Sequence, residues 1–295
     1  MAEKGKGWQW ECGGRIMYTP VSIARDRNIF LNPKLSNPIP EHGYLHTGQT
    51  TEVVAWRWPG DDRVFLIPAE FIEKFPGGLA RDVVAYIGQA YREQHYPEDL
   101  RVKIYLRQLA TGIALGWGTR TKEMLDDCLA FARFFTIQNY PFSILRKDGT
   151  VKTVEKRTFG FVDDVGRVTV WDGREIPPNK QWYNIYLSRL YAEALKTMPA
   201  APFPVAALEA AHRAPRKLIT PAKNLAYYLA ARVPAQKVRL LIPTIQEILG
   251  YSDTNTTYAR RAIENVLNVL HPVMVSNYNF TNNGYDIELS GKPGK

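Results

Sequence analysis

The sequence predicts an α+β chain in which two helix–turn–helix units, each followed by a β-hairpin, stand behind an irregular N-terminal arm. A set of landmarks occurs twice in the same order, about 140 residues apart. Hairpin signals follow each set. The 295 residues, 45% hydrophobic and 12% aromatic, hold enough apolar surface for two packed cores.

The landmarks begin with "VAYIGQA" (Val84–Ala90) and "LAYYLAA" (Leu225–Ala231), each inside an apolar helical pattern. Next, "RVKIYL" (Arg101–Leu106) matches "KVRLLI" (Lys237–Ile242), where basic and apolar residues alternate as in a short strand. Gly116–Trp117 then matches Gly250–Tyr251, each placed to end a short helix with a residue that tolerates a left-handed cap. Last come "IQNYPF" (Ile137–Phe142) and "VSNYNF" (Val275–Phe280). The offsets are 141, 136, 134 and 138 residues, a drift that loop insertions produce. The pattern reads as a duplicated unit.

Each copy reads helix, short strand, short helix, turn, longer helix, then a strand beginning at "NY". The first continues with "SILRKDGTVKTV" and "KRTFGFVDDVGRVTVWDG", strand runs joined by Asp-Gly and Gly-containing turns. The second continues with "FTNNGYDIELSG", a hairpin around Asn283–Gly284. A helix–turn–helix with a following hairpin is the winged-helix arrangement. On this reading "NY" marks the handover from the second helix of each motif to the first wing strand.

Four segments follow from these elements. Residues 1–60, rich in Pro, Gly and Trp, read as an extended arm. Residues 61–198 form the first winged-helix domain, closed by the amphipathic helix "YNIYLSRLYAEALKTM". Residues 199–221 read as a Pro/Ala-rich connector around one short helix, and residues 222–291 form the second winged-helix domain.

A net charge of +9 favours an acidic partner, with nucleic acid first in line. Residues 200–295 carry 11 basic against 6 acidic side chains, so the charge leans toward the second domain. No apolar run approaches the roughly 18 residues needed to cross a bilayer, and "MAEKGKGWQWECGG" lacks the apolar core of a signal peptide. A soluble, cytoplasmic protein with no membrane contact is expected. Cys12 and Cys128 are too few for a disulfide framework.

The two second helices differ. On a helical wheel of "TTYARRAIENVLNVL" (Thr256–Leu270), Ala259, Ile263, Val266, Leu267 and Leu270 gather on a core face. Outward lie Tyr258, Arg261, Asn265 and Asn268, which are the expected base readers; Arg and Asn make bidentate contacts with guanine and adenine edges. Thr254, Thr257, Arg260, Lys237 and Arg239 are expected on phosphates, with the threonines also offering N-cap oxygens. The matching helix of the first copy, "TKEMLDDCLAFARFF" (Thr121–Phe135), turns outward Glu123, Asp126, Asp127 and Ala130. Carboxylates against a phosphate lattice repel, so this helix is expected not to read bases. Its Phe131 and Phe134 suit packing against another chain or another part of this one. Arg146, Lys147 and Lys152 on the first hairpin are the remaining expected phosphate contacts, with Lys156 and Arg157 beside them.

The domain order, the "LITPAKNLAYYLAAR" helix opening the second domain, and "YARRAIENVLNVLHPVMVSNYNF" resemble the tandem winged-helix replication initiators of iteron-type plasmids. The resemblance spans roughly residues 63–290 and is one of pattern. It implies a homodimer through the first domain, recognition of repeated origin sites in double-stranded DNA by the second, and host replication proteins as partners. Arg261 and Asn265 take the positions of base readers. The same scaffold also serves transcriptional regulators and phage DNA-binding proteins, and winged helices also act as protein-interaction adaptors.

Catalysis is not expected. No Gly-rich loop is followed by Lys-Ser/Thr, and "GWGTRT" (Gly116–Thr121) lacks a third glycine. The acidic pairs Asp61–Asp62, Asp126–Asp127 and Asp163–Asp164 do not converge as metal-dependent nuclease chemistry requires. "EHGYLH" (Glu41–His46) lacks the fourth ligand of a zinc site. No cofactor or metal is expected.

Overall fold

A computed structural model describes residues 8–30, 39–41, 52–145, 151–177, 180–233, 235–250 and 255–293. The chain forms two compact units. One comprises residues 1–27 and 198–295 together with the short stretch 112–114; the other comprises residues 28–111 and 115–197. In sequence, the second is inserted into the first.

Along the chain, β1 (Trp8–Trp10), β2 (Ile16–Pro20) and α1 (Val21–Arg25) come first. The inserted unit holds β3 (Ile39–Glu41), β4 (Val53–Arg57), β5 (Val64–Pro68), α2 (Ala69–Ile72) and α3 (Gly78–Glu93). There follow β6 (Arg101–Tyr105), α4 (Leu106–Gly112), α5 (Thr119–Phe134), β7 (Thr136–Leu145) and β8 (Val151–Gly160). It continues with β9 (Val162–Val168), β10 (Val170–Trp171), β11 (Arg174–Glu175), β12 (Trp182–Leu187) and α6 (Arg189–Thr197). The other unit resumes with β13 (Ala200–Pro204), α7 (Val205–Arg213), α8 (Arg216–Ala230) and β14 (Lys237–Leu241). Its last elements are α9 (Ile242–Leu249), α10 (Thr256–Leu270), β15 (Val275–Thr281), β16 (Gly284–Leu289) and β17 (Gly291–Pro293).

The first two landmark pairs fall on the same element types in the same order; of the third, Gly250 ends α9 at a left-handed φ of 84°, whereas Gly116 lies beyond the end of α4 and is not left-handed. In both copies a long helix (α3, α8) leads to a strand (β6, β14), a short helix (α4, α9) and a second long helix (α5, α10). The strands alternate buried and exposed positions, with Val102, Ile104, Val238 and Leu240 turned inward. In the second copy β14 pairs with β16, which pairs with β15. In the first, β6 pairs with β12, which pairs with β9.

The hairpin expected to be the first copy's wing is placed differently. β7 and β8 pair with each other, but β7 also pairs with β5, in the five-stranded sheet β3-β4-β5-β7-β8. The two "NY" strings therefore do not begin equivalent strands. What they share is a β-bulge: the pairing slips between Ile137 and Tyr140 in β7 and between Val275 and Asn277 in β15. Asn139 takes up a left-handed φ of 58° there, a conformation Asn tolerates.

The core of the inserted unit is aromatic. Phe131 stacks on Phe135 at 4.5 Å, Phe75 meets Phe131 edge-on at 5.0 Å, and Phe30, Phe65 and Phe161 complete the cluster. Phe131 of α5 is thus buried within its own unit, and Phe134 stacks on Phe71 at 4.9 Å. The other unit packs α7, α8, α9 and α10 together over Leu225, Leu229, Ile245, Ile263, Leu267 and Leu270. Residues 199–221, expected as a connector, supply β13, α7 and the opening turns of α8 to this core. Residues 8–20, expected as an irregular arm, supply β1 and β2, which pair with β17 and β13. Trp10 anchors them, donating from Nε1 to the Pro202 carbonyl at 2.9 Å.

Candidate nucleic-acid interface

Local chemistry sets the position of α10. Asn255, not a threonine, caps it: Asn255 Oδ1 accepts from the amides of Thr257 at 3.0 Å and Tyr258 at 3.3 Å. Thr254 lies outside the described residues. Before it, α9 stops at Gly250, which adopts a left-handed φ of 84° and donates to the Gln246 carbonyl. Ala259, Ile263, Val266, Leu267 and Leu270 are buried as the wheel predicts, which forces the remaining residues outward.

Tyr258, Arg261 and Asn265 share one side of that outer face. They line an open groove of about 620 Å³ whose opposite wall is Lys217, Leu218 and Pro221 of α8. Proline at 221 has no amide to donate to the Lys217 carbonyl, so the normal helical bond is absent there. Tyr258 is 64% exposed. Asn268 accepts a hydrogen bond from the Tyr278 hydroxyl at 2.8 Å, which leaves its amide hydrogens available.

Among the described residues, the cations expected on phosphates are already engaged. Arg260 donates to Glu264 at 2.8 Å and lies 4.3 Å from the Phe280 ring; the hydrogen bond to Glu264 raises its pKa. Lys237 pairs with Glu288 at 2.6 Å, and that contact raises the ammonium pKa. Arg239 bridges Asp286 at 2.8 Å, Thr281 Oγ1 at 2.9 Å and the Thr281 carbonyl at 3.0 Å. This guanidinium ties β14 to the turn between β15 and β16. Hydrogen bonds from Thr281 and then Arg239 hold Asp286 below the usual carboxylate range. Within residues 235–290, the described cations Lys237, Arg239 and Arg260 each have an acidic partner, and Arg261 has none among the described residues. Thr257 is exposed in the first turn of α10.

The turn between β15 and β16 is Asn282–Asn283, both at positive φ (43° and 59°), as a two-residue type I′ hairpin requires. Gly284 is needed for a different reason. A Cβ there would lie 2.7 Å from the Leu240 carbonyl oxygen, so the close approach of β14 to β16 depends on its absence.

In the inserted unit, Glu123 of α5 is exposed, whereas Asp126 accepts a hydrogen bond from the Tyr183 hydroxyl. Burial raises the Tyr183 pKa, with Asp126 adding to it. Arg146 and Lys147 lie outside the described residues, as does the Lys152 side chain. Lys156 pairs with Asp62, and Arg157 with Glu155 at 2.5 Å. Lys217 is the groove-lining cation that sequence reasoning passed over. Its signal was present: Pro215 marks a helix start and places Lys217 in the first turn, which the connector reading obscured.

The arrangement suits reading of a base edge. Arg261 and Asn265 are one helical turn apart, exposed, and flanked by a basic residue of another helix. Such a pair can offer bidentate hydrogen bonds to guanine O6/N7 and adenine N6/N7.

No protein-family model matches the sequence, and neither does any curated protein. Among solved structures, the chain is similar to a selenomethionine crystal structure of domains 2 and 3 of RctB. The TM-score is 0.47 at 10% identity, over 92% of this chain and 98% of that one. A second crystal structure of RctB domains 2–3 gives a TM-score of 0.43 at 9% identity, over 86% and 94% of the two chains. At these values the likeness carries no argument about function, which rests on the site itself. Among the described residues, no helix is long and apolar enough to cross a membrane.

Proposed function

We propose that this chain is a sequence-specific double-stranded DNA-binding protein that reads bases through α10. Its C-terminal helices and three-stranded sheet act as a winged helix. The inserted unit acts as a second winged helix whose wing strands are β9 and β12, with the β7–β8 hairpin added between helix and wing. The observation that carries the reading is selective pairing. Lys237, Arg239 and Arg260 have acidic partners, while Arg261 stands exposed beside Asn265 in a groove edged by Lys217.

The role we assign is replication initiation from repeated origin sites, as the sequence resemblance implies. The inserted unit then contributes homodimer contacts and backbone grip, and host replication proteins join the bound complex. The protein acts by binding, without catalysis or a cofactor. The experiment is selection from random double-stranded DNA with the full-length protein and with Arg261→Ala. A motif enriched by the wild type and lost in the variant supports the reading. Absence of enrichment, or equal enrichment by both, overturns it.

A further inference from the structure

The three-stranded sheet β6-β12-β9 turns one face inward on Val102, Ile104, Tyr183, Ile185 and Leu187. Alternation puts the intervening residues on the other face. There Tyr105 is registered opposite Trp182, Lys103 opposite Asn184, and Arg101 opposite Tyr186. Three aromatic rings and two cations thus share one outward sheet surface.

A fourth ring extends it. Trp171 lies 5.6 Å from Trp182 at an interplanar angle of 62° and is 66% exposed. Its placement is not fraying. Trp171 and Arg174 pair across a two-residue turn, with Asp172 at φ 51° and Gly173 at φ 70°, the geometry of a tight type I′ hairpin. Lys103 Nζ sits 4.1 Å from the Trp182 ring centre and 5.2 Å from that of Tyr105. Between these groups runs a cleft of about 380 Å³, within the range of small-ligand sites. Gln94 and Pro97 also line it, as does Asp99, whose carboxylate is 3.4 Å from Arg101 Nε.

Tryptophan is costly to leave in water, and a rigidly mounted one facing solvent beside a second marks a surface that is covered in use. The cations decide by what. A purely apolar partner would bury Lys103 and Arg174 without an acidic partner, Arg101 already having Asp99, whereas a nucleic-acid strand satisfies rings and charges together: bases stack on the indoles and phosphates meet the cations. We infer that this face holds a single strand of DNA, with an unpaired base stacked on Trp171 or Trp182 and its phosphate beside Lys103. The choice of DNA rests on the duplex-DNA reading above; the stacking geometry does not.

The test measures fluorescence anisotropy of a labelled oligothymidylate of about 12 nucleotides, within the site sizes of single-strand binders, with the full-length protein. Trp171→Ala is expected to weaken binding roughly 5- to 150-fold, the range for loss of one base–aromatic stack. Trp171→Phe, which keeps a stacking ring, should retain most of it. Lys103→Ala should flatten the salt dependence by about 0.7 in log–log slope, the loss of one single-strand phosphate contact. Oligothymidylate bound equally by wild type and Trp171→Ala, or not bound at all by the wild type, overturns the inference. So does a Phe variant as weak as the Ala variant. Failure here is distinguishable from failure of the duplex reading, which Arg261→Ala tests on random duplexes. Loss of strand binding in Trp171→Ala supports the single-strand site whatever the duplex selection shows.

Discussion

Arg260 Nε donates to Glu264 Oε1 at 2.8 Å, one helical turn along α10, while the guanidinium rests on the ring of Phe280. Its neighbour Arg261 points into the groove facing Lys217. Two consecutive arginines therefore differ in setting: one holds the β15–β16 hairpin against its helix, and the other stands open to the groove, where the proposed reading puts the base contact. Arg261→Ala should cost about 1–3 kcal/mol on a selected site and relax preference at one base pair. Arg260→Ala should keep the preference intact. Competitive binding against single-base variants of the selected site separates them; swapped outcomes would refute the assignment.

Glu123→Ala, on the helix of the inserted unit, should leave the selected motif unchanged. If the motif shifts with Glu123 and not with Arg261, the base-reading helix is α5.

Asn255 caps α10 with two hydrogen bonds to its first turn. Asn255→Ala should destabilise the protein by about 0.5–2 kcal/mol, and Asn255→Gly by only a few tenths. Urea denaturation of the two variants checks the contrast. Equal losses would show that the cap hydrogen bonds are not the source of the stability.

Gly284→Ala sets a Cβ 2.7 Å from a backbone oxygen that has no rotamer in which to retreat. The expected penalty is about 1–3 kcal/mol of overpacking. A thermal melt at or above the wild-type temperature would show that β14 and β16 can separate without cost.

Asp286 is held ionised by Thr281 and Arg239, so its folded pKa lies below the ordinary 3.8. A depressed carboxylate stabilises the fold above its unfolded pKa, and that contribution drains away as pH falls below 3.8 toward the folded value. Asp286→Asn should therefore show a flatter stability–pH curve below 3.8 than the wild type. Identical acid limbs would contradict the clamp.

Local features were legible and long-range ones were not. The wheel of α10 follows from the spacing of Ala259, Ile263 and Leu267, because a helix satisfies its backbone within a few residues. Strand partners carry no such local mark. Nothing near Thr136 says that β7 joins β5 rather than β6, and nothing near Ile16 announces Pro204. The phosphate assignments for Lys237 and Arg239 rested on charge alone. Their partners Glu288 and Asp286 lie on a strand about 50 residues later, brought opposite only by register. Gly284 was read as a turn glycine because Asn-Gly is a turn signal, whereas the turn is Asn-Asn and the glycine clears a neighbouring backbone.

The pairing of β2 with β13 bears on how the chain is made. The Trp10 indole waits for the Pro202 carbonyl, 192 positions further along the chain, and the whole inserted unit is synthesised in between. On the ribosome that unit can close early, while its host stays open with an unpaired strand edge exposed until residues 200–204 emerge. The order of translation thus runs against the order of assembly, and the interval before β13 appears is when this protein has most need of a chaperone.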